Sequence, residues 1–211
     1  MKSYHQYCPI ASALDLVGER WSLLIVRELM HDPQLRYSDL HAALEGCSTN
    51  ILAARLKELE RGGVVRRRKL PPPAASTVYE LTEYGHRLRP VLRELAHWGA
   101  QAMGPPSPDA LEEGWLSDAL LIAVAPWSGA SVEFRIDEEV ASVVDGEVVR
   151  GPADRPDVVV RGDAAGFYHL VVDRDVEAVQ VEGDGSALRA LLAELPPRVA
   201  PRAPTEEPAA A

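Results

Sequence analysis

Residues 48–70, Ser-Thr-Asn-Ile-Leu-Ala-Ala-Arg-Leu-Lys-Glu-Leu-Glu-Arg-Gly-Gly-Val-Val-Arg-Arg-Arg-Lys-Leu, bring together side chains suited to reading and holding a nucleic acid. Leu52, Leu56 and Leu59 fall at the i, i+4, i+7 spacing of a buried helix face, and Ser48 is a good N-cap for that helix. At about 100° per residue, Asn50, Ala54, Lys57 and Arg61 lie opposite the leucines, flanked by Thr49 and Ala53. Short polar and small side chains let a helix enter the major groove. There an Asn amide pairs with adenine, and a Thr or Ala methyl touches the thymine methyl. The cations of Lys57 and Arg61 suit phosphates. Two glycines end the helix, and the basic run Arg66–Lys69 follows in a β-prone segment, where alternation sends two side chains to each face; Arg66 and Arg68 are the phosphate candidates. Taken alone, the same residues also suit a solvated amphipathic helix and a charged edge strand that resists aggregation.

The neighbouring segments favour the nucleic-acid reading. Ile10–Val17 and Trp21–Met30 are apolar helical segments separated by Gly18, and residues 37–44 form a short third helix with Ser38 as its cap. Glu-Gly-Cys at 45–47 joins helix to helix with a small residue at the bend. Val64–Leu70 and Thr77–Leu81 are β-prone runs joined by Pro-Pro-Pro-Ala-Ala, which cannot continue either ladder. Thr82 then caps a helix carrying Leu88, Val91, Leu92, Leu95 and Trp98, with Pro90 at a kink or in its first turns. Three helices, a two-stranded wing and a closing helix form a winged helix-turn-helix domain. The segments Tyr7–Leu16 and Leu88–Trp98 carry more apolar surface than one copy buries, which predicts a two-fold interface.

Four motifs within residues 6–99 resemble the HxlR-type transcriptional regulators, relatives of the MarR group. They are the stretch from Tyr7 to Leu29, Arg-Tyr-Ser-Asp-Leu at 36–40, Arg-Leu-Lys-Glu-Leu-Glu-Arg-Gly-Gly-Val at 55–64 and Tyr-Glu-Leu-Thr-Glu-Tyr-Gly-His-Arg-Leu-Arg-Pro-Val at 79–91. The resemblance implies a homodimer on an inverted-repeat operator in double-stranded DNA, with the recognition helix in the major groove and the wing near the minor groove. It also implies a role for Cys8: some members use a cysteine just before this proline as a redox or electrophile sensor, and the start of a helix favours a thiolate. This chain departs from the pattern in its proline-rich wing tip. Cys47, in the turn, reads as a small filler.

The net charge of −10 argues against nucleic acid until the chain is divided. Residues 1–100 hold 14 Lys and Arg against 11 Asp and Glu, a net of +3; residues 101–211 hold 8 against 21, a net of −13. That asymmetry and the length of 211 residues predict two small domains. The expected boundaries are a DNA-binding and dimerisation domain at 1–103, a Gly- and Pro-interrupted linker at 104–109, a second domain at 110–195 and a disordered Pro- and Ala-rich tail at 196–211. The polar N-terminus and the lack of a long apolar run predict a cytoplasmic protein with no membrane segment. Two cysteines without close partners predict no metal site, and no cofactor motif stands out. Phosphate-loop, His-Glu-x-x-His and Gly-x-Ser-x-Gly patterns are missing, so no enzymatic activity is expected; Gly-Asp-Gly-Ser at 183–186 reads as a turn with a capping Ser.

Residues 110–195 read as an α+β sandwich, a small sheet with helices over one face. Trp115–Val124 is helical; 131–136, 139–144, 147–150 and 157–161 are strands, with a hairpin at Asp145-Gly146; a helix over 163–171, a short strand at 179–182 and a final helix follow. The Phe-Arg-Ile-Asp strand, the Asp-Gly hairpin, Asp-Val-Val-Val-Arg-Gly-Asp and Val-Glu-Gly-Asp-Gly-Ser-Ala-Leu-Arg-Ala-Leu-Leu resemble, in order, the sterol carrier protein-like domain. That resemblance implies an apolar tunnel between sheet and helices. Trp115, Leu116, Leu120, Trp127, Phe167, Tyr168, Leu188 and Leu192 are the lining candidates, with His169 as a polar anchor, although such residues also serve as ordinary core. The leading expectation is therefore a regulator modulated by a hydrophobic small molecule. The alternatives are a thiol-sensing regulator using Cys8, and a lipid or metabolite carrier with a winged helix for protein interaction.

Overall fold

The computed structural model describes residues 3–107, 109, 111–123, 127 and 129–195; the expected tail at 196–211 and Val124 lie outside them. Contacts divide the chain into two units, Met1–Leu92 and Arg93–Ala211, so the division falls before the Gly- and Pro-rich stretch.

In the first unit, α1 (Pro9–Val17), α2 (Ser22–His31), α3 (Tyr37–Ala43) and α4 (Thr49–Arg61) precede β2 (Val65–Lys69), β3 (Thr77–Leu81) and α5 (Glu83–His86). The two-stranded wing gains a third member: β1, only Leu35–Arg36, pairs antiparallel with β3, and the sheet order is β1-β3-β2. Two residues are too short to show a strand period. Arg36, not Ser38, occupies the N-cap of α3; its N–H donates to Asp39 Oδ2 at 2.9 Å. Thr82 caps α5 as expected, accepting from the N–H of Gly85 and donating to the Gly63 carbonyl at 2.6 Å. Gly85 is obligatory there, because a Cβ would stand 2.2 Å from the Val64 carbonyl oxygen. Ile25, Val26, Leu29, Leu40, Leu52, Leu56 and Leu59 form a core closed to solvent. The helix expected after Thr82 is two helices, α5 and α6 (Arg89–Ala100), and Pro90 sits in the first turn of α6, where a missing N–H costs nothing.

In the second unit, α7 (Trp115–Ala123) precedes a five-stranded sheet of β4 (Val132–Ile136), β5 (Glu139–Val144), β6 (Glu147–Arg150), β7 (Val158–Gly162) and β8 (Gln180–Gly183). The order is β6-β5-β4-β7-β8, with β4 parallel to β7 and the other pairs antiparallel. Asp145 and Gly146 both take positive φ, as a two-residue hairpin requires. Val132, Phe134, Ile136, Ala141, Val143, Val158 and Val160 face the helices α7, α8 (Ala164–Tyr168) and α9 (Gly185–Ala193). On the opposite face, the loop after β6 covers Glu133 and Ser142: the N–H of Ala153 donates to Glu133 Oε2, and the Ser142 hydroxyl donates to the Gly151 carbonyl, both at 2.9 Å. The helix expected over 163–171 is α8 followed by a π-helical turn, His169–Asp173. Asp184, not Ser186, caps α9, accepting from both the N–H and the hydroxyl of Ser186. Glu139 of β5 receives the N–H groups of Gly114 and Leu116 at the start of α7, a long-range cap that no local pattern announces.

Candidate DNA-binding surface and apolar cavity

Helix α4 is fixed from three directions. Leu52, Leu56 and Leu59 are at most 2% exposed, Ser48 Oγ accepts the N–H of Ile51 at 3.4 Å, and the Tyr37 hydroxyl donates to the Thr49 carbonyl at 2.7 Å. Held in this way, the helix presents Ser48, Thr49, Asn50, Ala53, Ala54, Lys57 and Arg61 to solvent. Among the described residues, neither Lys57 nor Arg61 is in an ion pair. Ile51 is also exposed near the N-terminal end; the leucine periodicity passes over it, and Tyr37 carries no sequence signal of its tie to α4.

The wing cations are differently disposed. Arg66 and Arg68 share one face of β2 and one carboxylate: Arg66 Nε donates to Glu80 Oε1 at 2.7 Å and Arg68 Nε to Glu80 Oε2 at 3.0 Å. Burial opposes charge on Glu80, but the hydrogen bonds from Arg68 and Arg66 outweigh it and hold the carboxyl below the usual carboxylate range. Arg67, on the other face, bonds Glu60 at 3.0 Å, whereas Lys69 is exposed and outside any ion pair among the described residues. Glu80 and Glu60, absent from the sequence reading of this surface, therefore fix the orientation of three of its four basic side chains.

Apolar side chains stand exposed along two segments: Tyr7, Ile10 and Leu14 on and before α1, and Val91, Leu95 and Trp98 on α6. Cys8 is the partly exposed N-cap residue of α1. Cys47 is buried, and burial pushes its thiol up, which keeps it unreactive.

Within the second unit, an apolar cavity of about 440 Å³ is lined by residues of α6, the following linker, α7, α8 and the π-helical turn. Of the eight lining candidates it receives Trp115, Phe167 and Tyr168. Leu116, Leu120, Leu188 and Leu192 are instead buried in the core beneath the sheet, and Trp127 packs against that core with its indole N–H on the Ala130 carbonyl. No strand residue is among the lining residues, so this is a hollow between helices and linker rather than the expected tunnel against the sheet. His169 is not part of the lining; its Nδ1 lies 2.7 Å from Asp173 Oδ2. Among the described residues no cluster of His, Cys, Asp and Glu could hold a metal ion, and no helix is long and apolar enough to cross a membrane.

A helix-turn-helix whose second helix offers amide, methyl and cationic groups to solvent, followed by a basic wing, defines a winged helix-turn-helix DNA-binding unit. The chain belongs to the HxlR-like helix-turn-helix family, which matches residues 16–107, and it is a transcriptional regulator of that type. It is 39% identical over 101 residues to the uncharacterized HTH-type transcriptional regulator YvaP of Bacillus subtilis (strain 168), covering 47% of this chain and 93% of YvaP. It is 38% identical over 99 residues to the HTH-type transcriptional regulator YodB of the same organism, covering 46% of this chain and 88% of YodB. The reduced form of YodB superimposes with a TM-score of 0.42 at 37% identity, covering 48% of this chain and all of that one; YodB structures also exist in diamide-treated and quinone-bound forms. The family match ends before α7 and the five-stranded sheet.

Proposed function

We propose that the protein is a homodimeric repressor or activator that binds an inverted-repeat operator through α4 and its wing and is modulated by a hydrophobic small molecule held in the second unit. The observation that carries the DNA reading is the exposed face of α4: Asn50, Ala53, Ala54, Lys57 and Arg61 all reach solvent from a helix whose opposite face is locked in the core. The exposed stripes on α1 and α6 support a two-fold interface, because apolar patches of this kind mark association sites. The cavity supports the effector, and the α+β architecture with helices over one sheet face is compatible with a sterol carrier protein-like unit. Operator selection from a random duplex library tests the reading: the recovered duplex should be a palindrome bound by two protomers, and light scattering should give a dimer at micromolar concentration. Recovery of no sequence preference, or a monomer, would overturn it.

A second reading rests on Cys8, the partly exposed N-cap of α1, and on the relative YodB, known in diamide-treated and quinone-bound forms. If Cys8 is the sensor, Cys8→Ser keeps operator binding and loses the response to diamide, since only a thiol can be oxidised. If the cavity is the sensor, Cys8→Ser matches the parent.

A further inference from the structure

We propose that the cavity takes an uncharged hydrophobic molecule of two to three rings, and that α6 transmits its occupancy to the apolar stripe Val91, Leu95 and Trp98. This rests on the regulator reading above and specifies both the ligand chemistry and the output of the same site.

The lining sets the chemistry. It holds no Asp, Glu, Lys or Arg, and its polar side chains are His97 and Tyr168. The single hydroxyl proton of Tyr168 is committed to backbone, donating to the Met103 carbonyl with the Ala100 carbonyl 3.3 Å away. A charged ligand would give up part of its water with no counter-charge in the lining, at a cost an apolar ligand does not meet. The volume is roughly three times that of a cavity which takes a single benzene, which sets the size at two to three rings. Trp115 and Phe167 meet edge-to-face at 5.7 Å between ring centres, and Phe167 is braced in turn by Phe134 at 5.8 Å. This gives an aryl group a fixed aromatic wall. Small residues of α6, Ala96, Gly99 and Ala100, make another part of the lining.

The position of α6 sets the output. At about 100° per residue, Ala96, His97 and Ala100 lie on the side of the helix opposite Val91, Leu95 and Trp98. None of the α6 residues is fully buried, so an occupant packed on one side adds to what orders the helix. A ligand that orders α6 changes the affinity of its exposed stripe for a second copy of this chain, because both depend on the same helix.

The test uses full-length protein and two dyes with the same rings, uncharged N-phenyl-1-naphthylamine and its anionic relative 8-anilinonaphthalene-1-sulfonate. The uncharged dye should bind saturably and about 10-fold more tightly than the sulfonate. Two cavity-filling variants on different elements of the lining, Ala100→Leu and Ala119→Phe, should each weaken it about 10-fold with circular dichroism unchanged. Bound dye should slow hydrogen exchange in residues 89–103 and shift the self-association constant in sedimentation about 5-fold, and both effects should vanish in Ala100→Leu. Absence of saturable binding would overturn the inference and the effector reading together. Equal or tighter binding of the sulfonate would overturn the ligand class alone. Binding that leaves exchange and self-association unchanged would overturn transmission through α6 while leaving the effector reading in place. The operator selection reads DNA binding independently of all three.

Discussion

The exposed face of α4 and the cavity of the second unit offer a partner opposite physics. The first is convex, polar and cationic, carried on one helix whose other face is locked by Leu52, Leu56 and Leu59. The second is concave and uncharged, assembled from α6, a linker, α7 and α8. One should bind by releasing counterions from a polyanion and so weaken steeply with salt; the other should bind by removing apolar surface from water and so ignore salt. Two sites governed by different physics can be broken separately.

The largest effects should come from the two scaffolds. Leu116→Ala removes a side chain with no solvent exposure from the core of the second unit and should cost about 2–5 kcal/mol, whereas Trp115→Phe, at the cavity wall, should cost less and mainly weaken ligand. Gly85→Ala drives a methyl toward the Val64 carbonyl oxygen in the first unit and should cost about 1–3 kcal/mol. Thermal unfolding followed by hydrogen exchange assigns each loss to its unit. A Leu116→Ala protein that kept its full stability would show that this leucine lines space instead of filling it.

That contrast explains what the sequence could show. The outward face of α4 is legible because a leucine stripe at helical spacing fixes, by elimination, which residues face outward. The cavity was not legible in the same way. Large apolar side chains such as Leu116, Leu120, Leu188 and Leu192 signal apolar character, yet they fill the core, and the hollow arises beside the small residues Ala96, Gly99, Ala100 and Ala119. Period and hydrophobicity register the side chains that are there, and empty space is set by what tertiary packing leaves beside small ones. For a similar reason no local pattern marks Glu80 and Glu139: their partners are 12 or more residues away, across a strand pair or at a helix start.

A middle-sized effect should separate readout from attachment on α4. Asn50→Ala should weaken the selected operator by about 1–3 kcal/mol and change the preferred base at one position in each half-site, because the amide is the group able to pair with an adenine edge. Lys57→Ala should weaken all duplexes nearly uniformly and reduce the salt slope by about 1. Dye binding in the cavity should be unchanged in both. If Asn50→Ala instead weakened selected and random duplexes equally, α4 would be an electrostatic surface and not a reader.

The smallest effect concerns the carboxylate that organises the wing. Glu80 is almost buried, and its carboxyl is held below the usual carboxylate range because Arg68 and Arg66 outweigh the penalty of burial. A group whose native pKa is depressed contributes stability that is present above its unfolded-state value, about 4.3 for Glu, and is lost as pH falls through the lower native value. Both arginines are substantially exposed, so solvent screening keeps this contribution at neutral pH to about 1 kcal/mol or less. Glu80→Gln should therefore lower the stability of the first unit slightly at pH 7, and the gap should close as the solution is acidified below pH 4, while the second unit titrates identically in both proteins. A gap that widened on acidification would mean that Glu80 is protonated in the native wing, and that Arg66 and Arg68 are not held by its charge.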